Sequence, residues 1–160
     1  MAYFILICSG VSGTSTTEPA EIAKHRLTRA LWPMSSRTAN KSKIRDGDHL
    51  LIYLAGSKTG LRVFIASAAA ASRVRTCSVA EPSSWLFVPA REALELRDIQ
   101  YFPNPIPITP LLGRLEFITN VGHWGIHMKG GCKAITQADY RLILSSVAGL
   151  EGQEVPPGRG

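Results

Sequence analysis

The chain has 160 residues, of which 45% are hydrophobic and 19% charged, and a formal net charge of +6. That is one domain of ordinary size, apolar enough to bury a core and not disordered as a whole. No stretch approaches the ~20 apolar residues that span a bilayer, and no heptad or repeat recurs, so membrane-helix, coiled-coil and collagen-like classes are excluded. Cys8, Cys77 and Cys132 are widely spaced and offer neither a disulfide framework nor a CxxC pair. With no basic n-region before Tyr3, no secretion signal is expected, and a reducing cytoplasm is the expected compartment.

In chain order, Tyr3 to Cys8 is a short run of aromatic and β-branched residues that predicts a buried strand. Ser9 to Thr17, full of Ser, Thr and Gly, predicts a loop. A helix is expected from about Glu18 to Leu31, with Ala23, Leu27, Ala30 and Leu31 on one face, Pro19 in its first turn and Trp32-Pro33 as its end. Met34 to Lys43 is polar and basic, without a period. Asp46-Gly47 predicts a turn before a strand from His49 to Ala55. Gly56 to Gly60 then reads as a hairpin loop, with Leu61 to Ala68 as the returning strand. Trp85 to Val88 and Ala93 to Asp98 predict two further strands, or one broken at Pro89.

Pro103, Pro105, Pro107 and Pro110 make the next segment extended and irregular, and Leu111 to Leu115 fits one helical turn. Thr136 is the expected N-cap of a last helix, with Asp139 three residues on and Tyr140, Ile143, Leu144 and Val147 as its apolar face. The Gly- and Pro-rich residues 149–160 read as a mobile tail. Strands and helices do not alternate as βαβ units, which favours a small barrel or curved sheet.

Charge is unevenly placed. Between Lys24 and Ala80 stand eleven Lys and Arg, among them Arg26, Arg37, Lys41, Lys43, Lys58 and Arg62, against only Asp46 and Asp48. Such a segment gives either a positive face for a polyanion or a solvated surface that keeps the protein soluble. No phosphate-binding loop, dinucleotide fingerprint, HExxH or GxSxG is present. His123 and His127 are four apart, but Gly122 and Gly125 oppose a helix there and no further ligand is close, so no metal or cofactor is expected. Cys132 near them has no supported base partner and reads as a small buried hydrophobe. Two aromatic clusters remain. Trp32 leads into the basic loop holding Arg37 and Asn40, and Phe117, Asn120 and Trp124 lie close together. Each is either core filling or a platform on which a base can stack and have its edge read.

The ordered set of these residues resembles the EVE domain family of the PUA-like group, which includes the YTH and ASCH domains. The resemblance runs from about Tyr3 to Ile143. It rests on Tyr3-Phe-Ile-Leu-Ile, on Trp32 with Asn40 eight positions later, and on Ile44 to Asp48 leading into Leu50-Leu-Ile-Tyr53-Leu. Val88-Pro89-Ala90-Arg91 matches more loosely. The closing signature is Leu115-Glu-Phe117-Ile118-Thr-Asn120, then Trp124-Gly125, Gly130-Gly131, Ile135 and Asp139-Tyr140. The chain departs from the family at Trp32-Pro33, where Trp-Gly is usual, in one residue fewer between Asn40 and Gly47, and in a longer loop from Ser9 to Thr17.

The resemblance implies an α+β fold. It would be a small mixed PUA-like β-barrel of about five to six strands flanked by two or three helices, over residues 1–148, with 149–160 as tail. It also implies a non-catalytic module that takes a flipped, chemically modified base of DNA or RNA into an aromatic pocket, with a possible functional link to modification-dependent restriction. Trp32 would be a stacking wall. Ser35, Ser36 and Asn40 would hydrogen-bond base edge or phosphate, and Arg37, Lys41 and Lys43 would meet the backbone. Phe117 and Trp124 would complete the pocket or support it from the core, and Asn120 would read a polar edge or simply form a turn. Gly47 and Asp48 would be structural. Two alternatives stand beside this. One is a small enzyme acting on a nucleotide or modified RNA, with His49, His123 or His127 as base. The other is a domain that binds a small molecule or a protein.

Overall fold

The structure, a computed structural model, describes residues 1–9, 18–34, 37–76 and 92–154, with backbone alone for 148–154. Seven strands form one curled mixed sheet: β1 (Tyr3–Cys8), β2 (Leu31–Met34), β3 (His49–Leu54), β4 (Val63–Ala70), β5 (Arg75–Thr76), β6 (Glu92–Pro107) and β7 (Cys132–Ile135). Their order is β2-β6-β4-β3-β1-β7, with β5 also on β6. β1 runs parallel to β3, pairing Tyr3 with His49, and every other pairing is antiparallel. Helices α1 (Pro19–Arg29) and α2 (Gln137–Glu154) complete the architecture.

β1 and β3 sit inside the sheet and are covered on both faces, which is why they read as unbroken apolar runs. Alternation then divides their side chains between two cores. Phe4, Leu6, Cys8, Leu50, Ile52 and Leu54 join an inner cluster with Ile22, Ala23 and Leu27 of α1. Ile5, Ile7, Leu51 and Tyr53 join an outer cluster with Ile143, against which Tyr140, Leu144 and Val147 of α2 pack. The expected apolar face of α2 is therefore the one buried. Its start is fixed as expected too, because Thr136 Oγ1 accepts the Asp139 N–H at 3.1 Å.

Several expectations need correction. α1 ends at Arg29, where Ala30 turns left-handed (φ 53°) and donates its N–H back to Arg26 and Leu27. Trp32-Pro33 lies beyond it, inside β2, which pairs with β6 through Trp32 and Leu94. The returning strand, β4, runs from Val63 to Ala70 rather than from Leu61 to Ala68, and Ala66, Ala68 and Ala70 give the inner cluster small side chains. β6 extends through the proline segment. β2 and β5 pair with it only over residues 92–95, so among the described residues one edge is without a strand beyond that point. Prolines two apart put their missing N–H groups on a single edge, which a strand tolerates there. The expected helical turn at Leu111 is a 3-10 turn over Thr109–Leu111, and a second 3-10 segment, Val121–Met128, occupies the stretch where glycines spoke against a helix. α2 continues past Gly149 to Glu154. Cys77 and the segment from Trp85 to Arg91 lie outside the described residues.

Candidate nucleic-acid interface

Trp32 is held on the inner face. It is 2% exposed, among the buried residues of the inner core, so it is covered rather than an open wall. The Arg26 guanidinium carbon lies 4.8 Å from its ring centroid, a cation–π contact that occupies one face of the indole. Arg26, itself 6% exposed, places Nη1 3.9 Å from Cys8 Sγ, and that thiol donates to the Pro19 carbonyl. Burial pushes the Cys8 thiol up to about 11, against a smaller opposing pull from Arg26, and lowers the Arg26 guanidinium.

The basic loop after β2 is tied to the sheet edge rather than splayed from it. Asn40 adopts a left-handed backbone and donates its Nδ2 to the Cys132 carbonyl at 3.0 Å. The Ala39 N–H bonds to Gly130 O. Lys41 is ion-paired with Glu92, while Arg37 and Lys43 are exposed. Lys43 stands with Tyr3, Ala134 and Gln137 on a broad cleft of about 630 Å³ at the N-terminal end of β1. Ser35 and Ser36 lie outside the described residues. Other cations of the basic segment are also neutralised locally, Lys58 by Glu18 and Arg75 by Glu95, and outside that segment Arg97 pairs with Asp46 and Asp98. Asp48 is structural as expected, taking the N–H groups of Ala2 and Arg45.

Phe117, Asn120 and Trp124 lie on the outer face, so the sheet separates them from Trp32 and the two tryptophans do not share one pocket. Asp139, 1% exposed, takes the N–H groups of Glu116 (2.8 Å) and Phe117 (3.0 Å), which anchors the start of this loop to α2. Phe117 packs against the outer core, and Lys133 Nζ is 5.9 Å from its ring. Asn120 caps the 3-10 segment, accepting the His123 N–H on Oδ1, so its amide oxygen serves the turn. Met128 is buried and Ile7 donates to Gly131 O, which fixes the loop's far end. Trp124, half-buried, thereby borders a cavity of about 270 Å³ at the C-terminal ends of β1 and β3, with Ser9, Tyr53, Arg62, Met128 and Lys129.

Tyr53, Arg62 and Lys129 line this cavity, and the sequence did not single them out. Tyr53 reads as one more apolar strand residue, and no motif marks the other two. Burial pushes the Tyr53 phenol up to about 12 despite the opposing charge of Arg62, so it stays protonated. Arg62 holds φ 63°, a left-handed conformation that costs a residue with a Cβ on the order of 1 kcal/mol. Gly56 closes the same corner at φ 143°, where a Cβ would meet Leu61 Cδ1 at 2.3 Å. No histidine lines the cavity. His49 stacks on Tyr3 at 5.0 Å, and His127 Nε2 faces Thr119 Oγ1. Among the described residues, no three His, Cys, Asp or Glu gather as a metal site. Cys132 is buried, with its thiol pushed by desolvation up to about 12.

Against known proteins, no family model matches the chain. It is 29% identical over 122 residues to a protein of Mesorhizobium japonicum described as UPF0310 protein msl3206, covering 69% of this chain and 74% of that one. The structure is similar to human THYN1 protein in complex with 5-methylcytosine containing DNA (TM-score 0.60, 8% identity, 92% and 98% of the two chains). It is also similar to the N-terminal domain of Staphylothermus marinus McrB (0.59, 12%, 89% and 93%). A third likeness is to the YTH domain of Zygosaccharomyces rouxii MRB1 protein in complex with N6-methyladenosine RNA (0.58, 14%, 91% and 86%). No helix among the described residues is long and apolar enough to cross a membrane. The fold of this chain is PUA-like, an α+β arrangement in which a curled mixed sheet carries helices on its faces.

Proposed function

We propose that the chain is an EVE-type module that binds DNA or RNA without catalysis, taking one extruded, chemically modified base against Trp32. The observation that supports this most is the shared architecture. Over about nine-tenths of its length the chain follows the same path as proteins solved with 5-methylcytosine DNA and with N6-methyladenosine RNA. Trp32 stands on that path, at the mouth of the basic loop, as the resemblance to the EVE family implies. Arg26 covers one indole face, so a base would stack on the other. Since the ring is covered, entry would require the side chains over it to part. Ser35 and Ser36, which follow Trp32 closely in sequence, would bond the base edge or phosphate together with Asn40. Arg37, Lys41 and Lys43 would supply phosphate attraction, with Lys41 exchanging Glu92 for a phosphate.

Stacking contributes roughly 1–3 kcal/mol per base, and extrusion costs a few kcal/mol, least where pairing is already weak. A methyl group on the base would add apolar contact inside a closed pocket, which is how shape would separate modified from unmodified bases. The experiment is a titration of modified and unmodified DNA and RNA oligonucleotides of one sequence at two salt concentrations. The expected result is tighter binding of a modified strand at both, with affinity for every strand falling steeply with salt. Equal affinity for modified and unmodified strands in every pair would overturn the reading.

A further inference from the structure

We infer that the cavity between Tyr53 and Trp124 is a second site on the same nucleic acid, holding the nucleotide next to the extruded base: its ring lies against Trp124 and its phosphate under Arg62 and Lys129. This rests on the modified-base reading above. The cavity, at about 270 Å³, is just below the ~300–1,000 Å³ of clefts that hold a whole drug-sized ligand. One planar ring fits that scale. Its wall offers the Trp124 indole, Tyr53 and Met128 as apolar surface, with Ser9, Arg62 and Lys129 as polar groups and no carboxylate among the described residues.

The two cations differ from those that are held in ion pairs. Lys41, Lys58, Arg75 and Arg97 each meet an acid, whereas among the described residues no carboxylate pairs with Arg62 or Lys129. Two uncompensated cations over a low-dielectric hollow focus a positive potential on it. Arg62 is also placed at a backbone cost. It keeps its left-handed φ while its N–H bonds to Leu54 O and its carbonyl accepts from Ile108, which fixes the base of the side chain at the rim.

The occupant follows from where the cavity opens. Ser9 on its wall is the residue after Cys8, whose thiol is 3.9 Å from Arg26, and Arg26 lies 4.8 Å from the Trp32 ring. The Arg26 side of the Trp32 site and the Trp124 cavity therefore both adjoin the C-terminal end of β1, on opposite faces of the strand. One phosphodiester strand passing around that end would engage both, which favours a neighbouring nucleotide over a separate metabolite.

The full chain and its variants would be titrated with modified and unmodified oligonucleotides, as DNA and as RNA, at several salt concentrations. Trp124→Ala is expected to weaken binding of modified and unmodified strands by the same factor, roughly tenfold or more. Lys129→Glu, at an exposed position, and Arg62→Ala are expected to lower the salt slope by about one each, again without changing the ratio between strands. Trp32→Leu is expected to do the reverse and remove the ratio. Unchanged affinity in both Trp124→Ala and Lys129→Glu would overturn the second site. Loss of the ratio alone in Trp124→Ala would also overturn it, because the cavity would then be the modified-base site itself. A wild-type ratio of one with the Trp124 and Lys129 losses intact would sink the modified-base reading while leaving a strand-binding cavity. Strands of DNA and RNA would be separated by which series shows these losses.

Discussion

The two faces of β1 and β3 each bury aromatic rings, but they do so under opposite conditions. On the inner face Trp32 is buried in the inner core, with the Arg26 guanidinium of α1 over its ring. On the outer face Trp124 stands half-open on a loop that Asp139, Asn120 and Met128 hold in place, above a cavity with cations at its rim. A covered ring contributes first to stability and can select a ligand only by opening. A half-open ring contributes little to stability and can bind without rearrangement. On the proposed reading, the inner site would supply selectivity and the outer one strand affinity.

The largest break in this comparison is Trp32→Ala, expected to cost about 3–5 kcal/mol in denaturant unfolding because it leaves a core cavity. Trp124→Ala should cost about 1–2 kcal/mol, in line with its partial burial. Equal losses at the two positions would erase the distinction. Asp139→Ala comes next. It strips the acceptor from two backbone N–H groups, with an expected loss of about 3 kcal/mol and a displaced Trp124 loop, read by unfolding and by loss of strand affinity.

A pH series sharpens the inner site. Burial lifts the Cys8 thiol from the ordinary 9.0 to about 11, so above pH 9 the unfolded chain releases a proton that the folded chain retains. The stability this gives is complete below pH 9 and is lost as pH rises through 11, on the order of 2–3 kcal/mol. Cys8→Ala should flatten that window in an unfolding-against-pH profile, and an unchanged profile would show the thiol is not closed in beside Arg26. The smallest effect is Asn120→Ala, which removes the cap of the 3-10 segment. It should cost about 1 kcal/mol and loosen Trp124 measurably by hydrogen exchange at His123.

What could be read from the residue order was mainly local. β1, β3, α1 and α2 follow from short-range pattern, and the Thr136–Asp139 cap was correctly placed because a capping bond needs only neighbours. β2 was not legible. Leu31 to Met34 has the look of a helix end before proline, and only pairing with β6, about sixty residues on, makes it a strand. β6 was hidden for the related reason that prolines are tolerated only once one edge of a strand is known to lack a partner. At the site, Trp32, Asn40, Phe117, Asn120 and Trp124 could be singled out by type and spacing. Which face each occupies could not, because that depends on the parity of strands joined across the whole chain. Tyr53, Arg62 and Lys129 come together only in three dimensions, from β3, the start of β4 and the loop before β7.

The most direct test of Trp32 as the partner of the modified base is its own fluorescence. In a protein carrying Trp85→Phe and Trp124→Phe, Trp32 is the sole indole. Adding a strand with the preferred modification should quench and shift its emission, while the unmodified strand at equal occupancy should leave it nearly unchanged. Emission that stays constant while the modified strand binds, or responds identically to both strands, would contradict the account.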